Sequence, residues 1–146
     1  MARVRIHDVE RSFPEPIRDW TTPEIKAQIS QLELDSSIVV HERGGTDTLQ
    51  LFEVFFLPDT EVDIHAHDEE EVMYVVGGEM IVGQRVLKPG SSIYIAGSTL
   101  YGFRAGPNGL RVLNFRPRID STYISKAAFE TRRRERDGLS LPDEHA

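Results

Sequence analysis

Between residues 36 and 117 the chain is a succession of short apolar or alternating runs, among them Ile38-Val39-Val40 and Val72-Met73-Tyr74-Val75-Val76. Turn signals separate them at Gly44-Gly45, Pro58-Asp59, Gly77-Gly78, Pro89-Gly90 and Gly106-Pro107-Asn108-Gly109. Closely spaced short strands with no long helix between them predict an antiparallel sandwich or barrel. Ahead of this body, residues 1–35 carry a β-like run at Val4-Arg5-Ile6, a linker around Pro14 and Pro16, and a helix start at Pro23. Thr22 can cap that helix, proline suits its first position, and Ile25, Ile29 and Leu32 fall at helical spacing. Residues 125–137 read as a C-terminal helix, ended by Gly138 and followed by a polar tail. The chain of 146 residues is therefore read as one domain: extension 1–35, barrel body 36–117, C-terminal helix and tail 118–146.

The chemistry is concentrated at His65-Ala66-His67, with Glu71 four residues on. Side chains two apart on a strand share a face, so Asp63, His65 and His67 are expected on one side and Val62, Ile64 and Ala66 on the other. Glu71 opens the next apolar run and can return to the histidine side after a short turn. Two imidazoles and a carboxylate on one wall are a ligand set for a divalent transition metal, with positions left open for water, substrate or oxygen.

Composition narrows the rest. No apolar run approaches the ~20 residues of a membrane span, and the N-terminus lacks the apolar core of a signal peptide. Cysteine is absent, which excludes a disulfide framework and a thiolate zinc site. The expectation is a cytoplasmic protein with no membrane partner. A formal net charge of −7 argues against nucleic-acid binding. Arg132, Arg133, Arg134 and Arg136 are interleaved with Glu130, Glu135 and Asp137, and read as a solvated helix face.

The body resembles the cupin superfamily, small double-stranded β-helix (jelly-roll) barrels with a metal site inside. That family's first motif runs Gly, five residues, His-x-His, three or four residues, Glu, six residues, Gly. His65, His67, Glu71 and Gly78 match it, while Asp59 stands where the opening glycine would be. The second motif keeps its frame from Gly90, but Ala96, Ser98, Tyr101 and Ala105 replace its proline, glycine, histidine and asparagine. The resemblance spans roughly residues 45–117. It implies an all-β jelly-roll barrel with a short N-terminal helix and a C-terminal helix, a homodimer, and one divalent metal, iron first, with manganese, nickel or zinc as alternatives.

Tyr101 is the main departure, and it admits three readings. It is a phenolate fourth ligand beside His65, His67 and Glu71, or a protonated acid next to the metal, or a space-filling residue in a barrel without metal. Tyr101 and Glu71 are the candidate catalytic groups. Met73 and Val75 share Glu71's face and are expected to line a substrate pocket with Phe103. Arg116 is assigned to that pocket as an anion contact, Arg104 and Arg111 being weighed beside it. His7 and His145 are expected to be exposed, His41 to be structural, and Asp68-Glu69-Glu70 to be a solvated turn. The resemblance implies a metal-dependent enzyme acting on a small organic molecule: an oxygenase by slight preference, or a lyase, isomerase or cyclase. A non-catalytic binding or sensing module is the rival.

Overall fold

Nine strands join in one antiparallel sheet around an apolar core in the computed structural model, which describes residues 3–138. His145 and the polar tail lie outside the described residues. In chain order the elements are β1 (Glu15–Pro16), α1 (Ile17–Trp20), α2 (Pro23–Lys26), α3 (Gln31–Asp35), β2 (Ser37–Glu42), β3 (Gln50–Phe56), β4 (Glu61–Ala66), β5 (Glu71–Val82), β6 (Arg85–Leu87), β7 (Ser92–Ile95), β8 (Tyr101–Arg116), β9 (Ile124–Ser125) and α4 (Lys126–Arg136). The main path is β1-β2-β3-β8-β4-β9, and β5 pairs with β6, β7 and β8. The sheet curls as a jelly roll without closing. No helix among the described residues is long and apolar enough to cross a membrane.

β8 is the hub. Its C-terminal half pairs with β3 on one edge and β5 on the other, while its N-terminal half pairs with β4 and the far end of β5. Two of the expected turns turn out to be irregularities inside long strands. Between Gly78↔Leu110 and Met80↔Ala105, β5 advances two residues and β8 advances five, so Gly106–Gly109 bulges out of a single strand. Gly78 has φ +69°, and a Cβ there would sit 2.1 Å from the Gly109 carbonyl oxygen. Only glycine lets the two strands cross so closely.

A second bulge decides the site. Val62 pairs with Phe103 and His65 with Tyr101, so three steps on β4 match two on β8. The extra residue resets the alternation. Val62 and His65 both point inward, 5% and 3% exposed, whereas Asp63 and Ile64 both face solvent. The expectation that Asp63 shares the histidine face therefore fails, because simple alternation holds only in an unbulged strand.

The N-terminal region differs from its sequence reading. Val4-Arg5-Ile6 forms no strand; Arg5 and His7 pair with Glu42, and Val4 and Ile6 remain exposed. The helix beginning at Pro23 is capped by Thr22 as expected but ends after one turn. Ser30 then caps a separate α3, accepting from Glu33 N at 3.1 Å and donating to Glu61 O at 3.3 Å. Single-turn helices are not stable alone. Packing holds these: Ile17 is buried, and the Trp20 ring lies 6.4 Å from that of Phe52. α4 forms as read, capped by Ser125 and with Gly138 at φ +70° beyond it.

Candidate functional site

His65, near the end of strand β4, and His67, just beyond it, face each other, Nε2 to Nε2, at 3.1 Å. The bulge that turns His65 inward also leaves the Asp63 carbonyl 2.6 Å from its Nδ1. His67 Nδ1 meets the carbonyl of Thr122. A carbonyl only accepts, so each Nδ1 carries the hydrogen and each Nε2 presents a bare lone pair. Burial pushes His65 down to about 4, and burial with the nearby Arg116 charge lowers His67 as well. The pair is thus two neutral acceptors pointing at one spot.

Their 3.1 Å separation is what two ligands on adjacent positions of one ion span when each bond is about 2.0–2.1 Å. The donor chemistry and tautomers fit a divalent transition metal. Among the described residues, however, no three His, Asp or Glu side chains converge closely enough to enclose an ion by themselves. The expected third ligand, Glu71, has its carboxylate taken up elsewhere.

Glu71 opens β5 and is 2% exposed. Register places Val72 beside Phe115 and Met73 beside Asn114, so Arg116 falls opposite Glu71. Asn114 Nδ2 donates to Oε2 at 3.2 Å and Arg116 Nε donates to the same oxygen at 3.1 Å. The Tyr101 hydroxyl donates to Oε1. Burial by itself would raise the Glu71 carboxyl; the Arg116 charge and the Tyr101 hydrogen bond outweigh it and hold the group below its ordinary range. Tyr101 moves the other way, raised well above an ordinary phenol by burial and by the Glu71 charge. The Tyr101 hydroxyl is thus the donor to Glu71 in this arrangement, and its ring centroid lies 4.6 Å from that of His65.

A cavity of about 310 Å³ opens beside these groups. Met73, Phe103 and Arg116 line it, as do both histidines and Tyr101. Val75, expected on the same wall, is fully buried in the core cluster further along β5 and does not reach the cavity. Arg116 is the inward member of the three candidate arginines. Arg111 bonds Glu53 on the outer face at 2.6 Å, and Arg104 is exposed. His41 lies beside Glu53 at 3.8 Å, away from the cavity. The acidic turn is tied down in part: Glu69 N donates to Asp120 Oδ2 at 2.7 Å, and its carboxylate meets Arg118 at 2.8 Å.

Solved structures share this arrangement of strands. An RmlC-like cupin from Shewanella frigidimarina superimposes with a TM-score of 0.58 at 18% identity, covering 82% of this chain and 92% of that one. The fold is a cupin fold. The polyketide cyclase RemF from Streptomyces resistomycificus (TM-score 0.52, 22% identity, 67% of this chain and 78% of that one) shares it. So does the DMSP lyase DddQ from Ruegeria pomeroyi, with a TM-score of 0.58, 16% identity, and coverage of 80% of this chain and 62% of that one. No protein-family model and no curated protein matches the sequence.

Two parts of this cavity were not found by sequence reasoning. Tyr123 stacks on His65, centroids 4.5 Å apart and planes 9° from parallel. It is carried by the segment after β8, where Asp120 binds Thr122 N at 2.8 Å in a local side-chain turn. Asp-x-Thr is a legible turn signal, but its place against the barrel is not. The other part is the N-terminal extension: Trp20, Ile25, Ile29 and Glu33 all line the cavity. Burial pushes the Glu33 carboxyl up to about 7, with Asp63 adding to the rise.

Proposed function

We propose that this protein is a metal-dependent enzyme that moves a proton on a small, largely apolar organic molecule, in lyase, isomerase or cyclase chemistry. The observation that carries this reading is the hydrogen bond from a protonated Tyr101 to an ionised, buried Glu71 at the edge of the cavity. His65 and His67 would hold a divalent transition metal; iron, manganese, nickel and zinc all accept imidazole. Such an ion supplies polarisation of a carbonyl or enolate oxygen. The chain's own residues do the rest. Apolar walls at Phe52, Phe56 and Met73 hold the substrate body and exclude water. A proton leaving the substrate arrives on Tyr101 Oη as the phenolic hydrogen passes to Glu71 Oε1, so the phenol stays neutral and the carboxylate is neutralised. Asn114 and Arg116 keep Oε1 aimed at the phenol by engaging Oε2. That a cyclase and a lyase share the fold supports the reaction class.

The deciding experiment is turnover under strict anaerobiosis by metal-loaded protein. Product formation without oxygen supports proton transfer; oxygen consumed in proportion to product favours the oxygenase instead.

We also propose that the working form is a homodimer. Supporting it, Leu51, Phe115, Val72 and Tyr94 lie in register across four strands on the outer sheet face, with Val72, Phe115 and Tyr94 38%, 42% and 60% exposed. A monomeric mass by light scattering at micromolar concentration would overturn this.

A further inference from the structure

Among the described residues, two buried side-chain oxygens have no hydrogen-bond partner, Glu33 Oε1 and Gln50 Oε1, and both residues line the same cavity. Gln50 begins β3 and is 2% exposed. Its Nε2 donates to the Arg43 carbonyl at 3.1 Å, which fixes the amide and leaves Oε1 as the free end. Glu33 comes from a different element, α3, which Ser30 caps and ties to β4. A buried acceptor without a donor costs on the order of 1–3 kcal/mol. Two of them in one cavity are explained together if a bound molecule brings the donors. The surrounding wall of Trp20, Ile25, Ile29, Phe52, Phe56 and Phe103 suits an aromatic or alicyclic body.

We propose that Glu33 and Gln50 are the specificity residues of the cavity and select an apolar ring compound bearing hydroxyl donors. This rests on the reading of the cavity as the substrate site. It adds the substrate class, and it gives the N-terminal extension a recognition role in addition to covering the barrel. Acceptors without donors reject ligands whose oxygens are only acceptors, so discrimination arises from the hydroxyl hydrogens and not from shape.

Two probes of one skeleton test this: 2,7-dihydroxynaphthalene and 2,7-dimethoxynaphthalene, titrated calorimetrically at pH 8, where the Glu33 carboxyl is ionised and only accepts, into the full chain, as purified and after chelator treatment. The diol is expected to bind about tenfold or more tightly than the diether, although the diether is the more apolar. Glu33→Leu and Gln50→Leu should each cut the diol's advantage severalfold and leave the diether unchanged or slightly tighter. Equal affinities for the wild-type chain overturn the proposal without any variant, as does failure of the diol to bind. An advantage that survives in both leucine variants also overturns it. Because binding is read without turnover and without metal, a negative result leaves the metal-dependent reading standing, and failure of that reading leaves this result intact.

Discussion

His65 and His67 present unprotonated Nε2 atoms to each other at 3.1 Å, each tautomer set by a backbone carbonyl on the far side of its ring. Two lone pairs at that distance repel unless a positive charge lies between them. A proton is disfavoured there, since burial lowers both imidazoles. A metal ion satisfies both rings at once. His65→Ala and His67→Ala are each expected to lower bound transition metal from about one equivalent to under about a tenth, because one imidazole cannot replace a chelating pair. Elemental analysis of protein purified without chelator and soaked with metal measures it; full occupancy in either variant would count against the site.

Tyr101→Phe and Glu71→Gln separate relay from ligation. In the relay both variants keep their metal and lose turnover by about 10²–10⁴-fold. If Tyr101 were a phenolate ligand, ferric-loaded wild type would show a phenolate-to-iron charge-transfer band that Tyr101→Phe abolishes. The relay expects no such band. A metal content that collapses in Glu71→Gln would make Glu71 a ligand after all.

The two non-glycine residues with left-handed backbone among the described residues are Asp59 at φ 63° and Ser98 at φ 56°. Both stand where the cupin motifs carry glycine, the residue that adopts this backbone conformation at least cost. Ser98 N donates to the His67 carbonyl at 2.7 Å, so this conformation also anchors the histidine strand. Ser98→Gly should stabilise the protein by about 0.5–1 kcal/mol, relief of left-handed strain exceeding the entropy cost of glycine. Ser98→Val should destabilise it by more than that, since a β-branched residue resists positive φ. Chemical denaturation at fixed metal content decides both.

Glu33 predicts a pH dependence whose sign is unusual for a carboxylate. Its carboxyl sits at about 7 in the folded chain, against about 4.5 when free. The folded state therefore binds the proton more tightly, and stability falls as pH rises from about 4.5 through about 7. His65, held near 4, contributes oppositely, losing stability as pH falls below about 6.5. The two slopes oppose each other in the wild type, so the informative quantity is the difference from Glu33→Leu. That variant should be more stable by on the order of 2–3 kcal/mol at pH 8 and lose most of this advantage by pH 4.5. A difference that does not vary with pH would show that Glu33 titrates normally.

Local pattern in the sequence was sufficient for the all-β class, for the pairing of His65 with His67, for the helix start capped by Thr22 and for the C-terminal helix ended by Gly138. These follow from short-range rules of alternation, turn chemistry and N-capping, which need only neighbours in the chain. The tertiary structure decided what depends on register between distant strands. The bulge at Asp63-Ile64 turns His65 inward and exposes Asp63, an outcome set by how β4 meets β8. The same register puts Arg116 and Asn114 on Glu71, so that a residue with a ligand's spacing is held as the partner of Tyr101. Glu33, Gln50 and Tyr123 carry no motif at all. They converge because α3, β3 and the segment after β8 close on one cavity, and only long-range packing brings residues so far apart in the chain to the same wall.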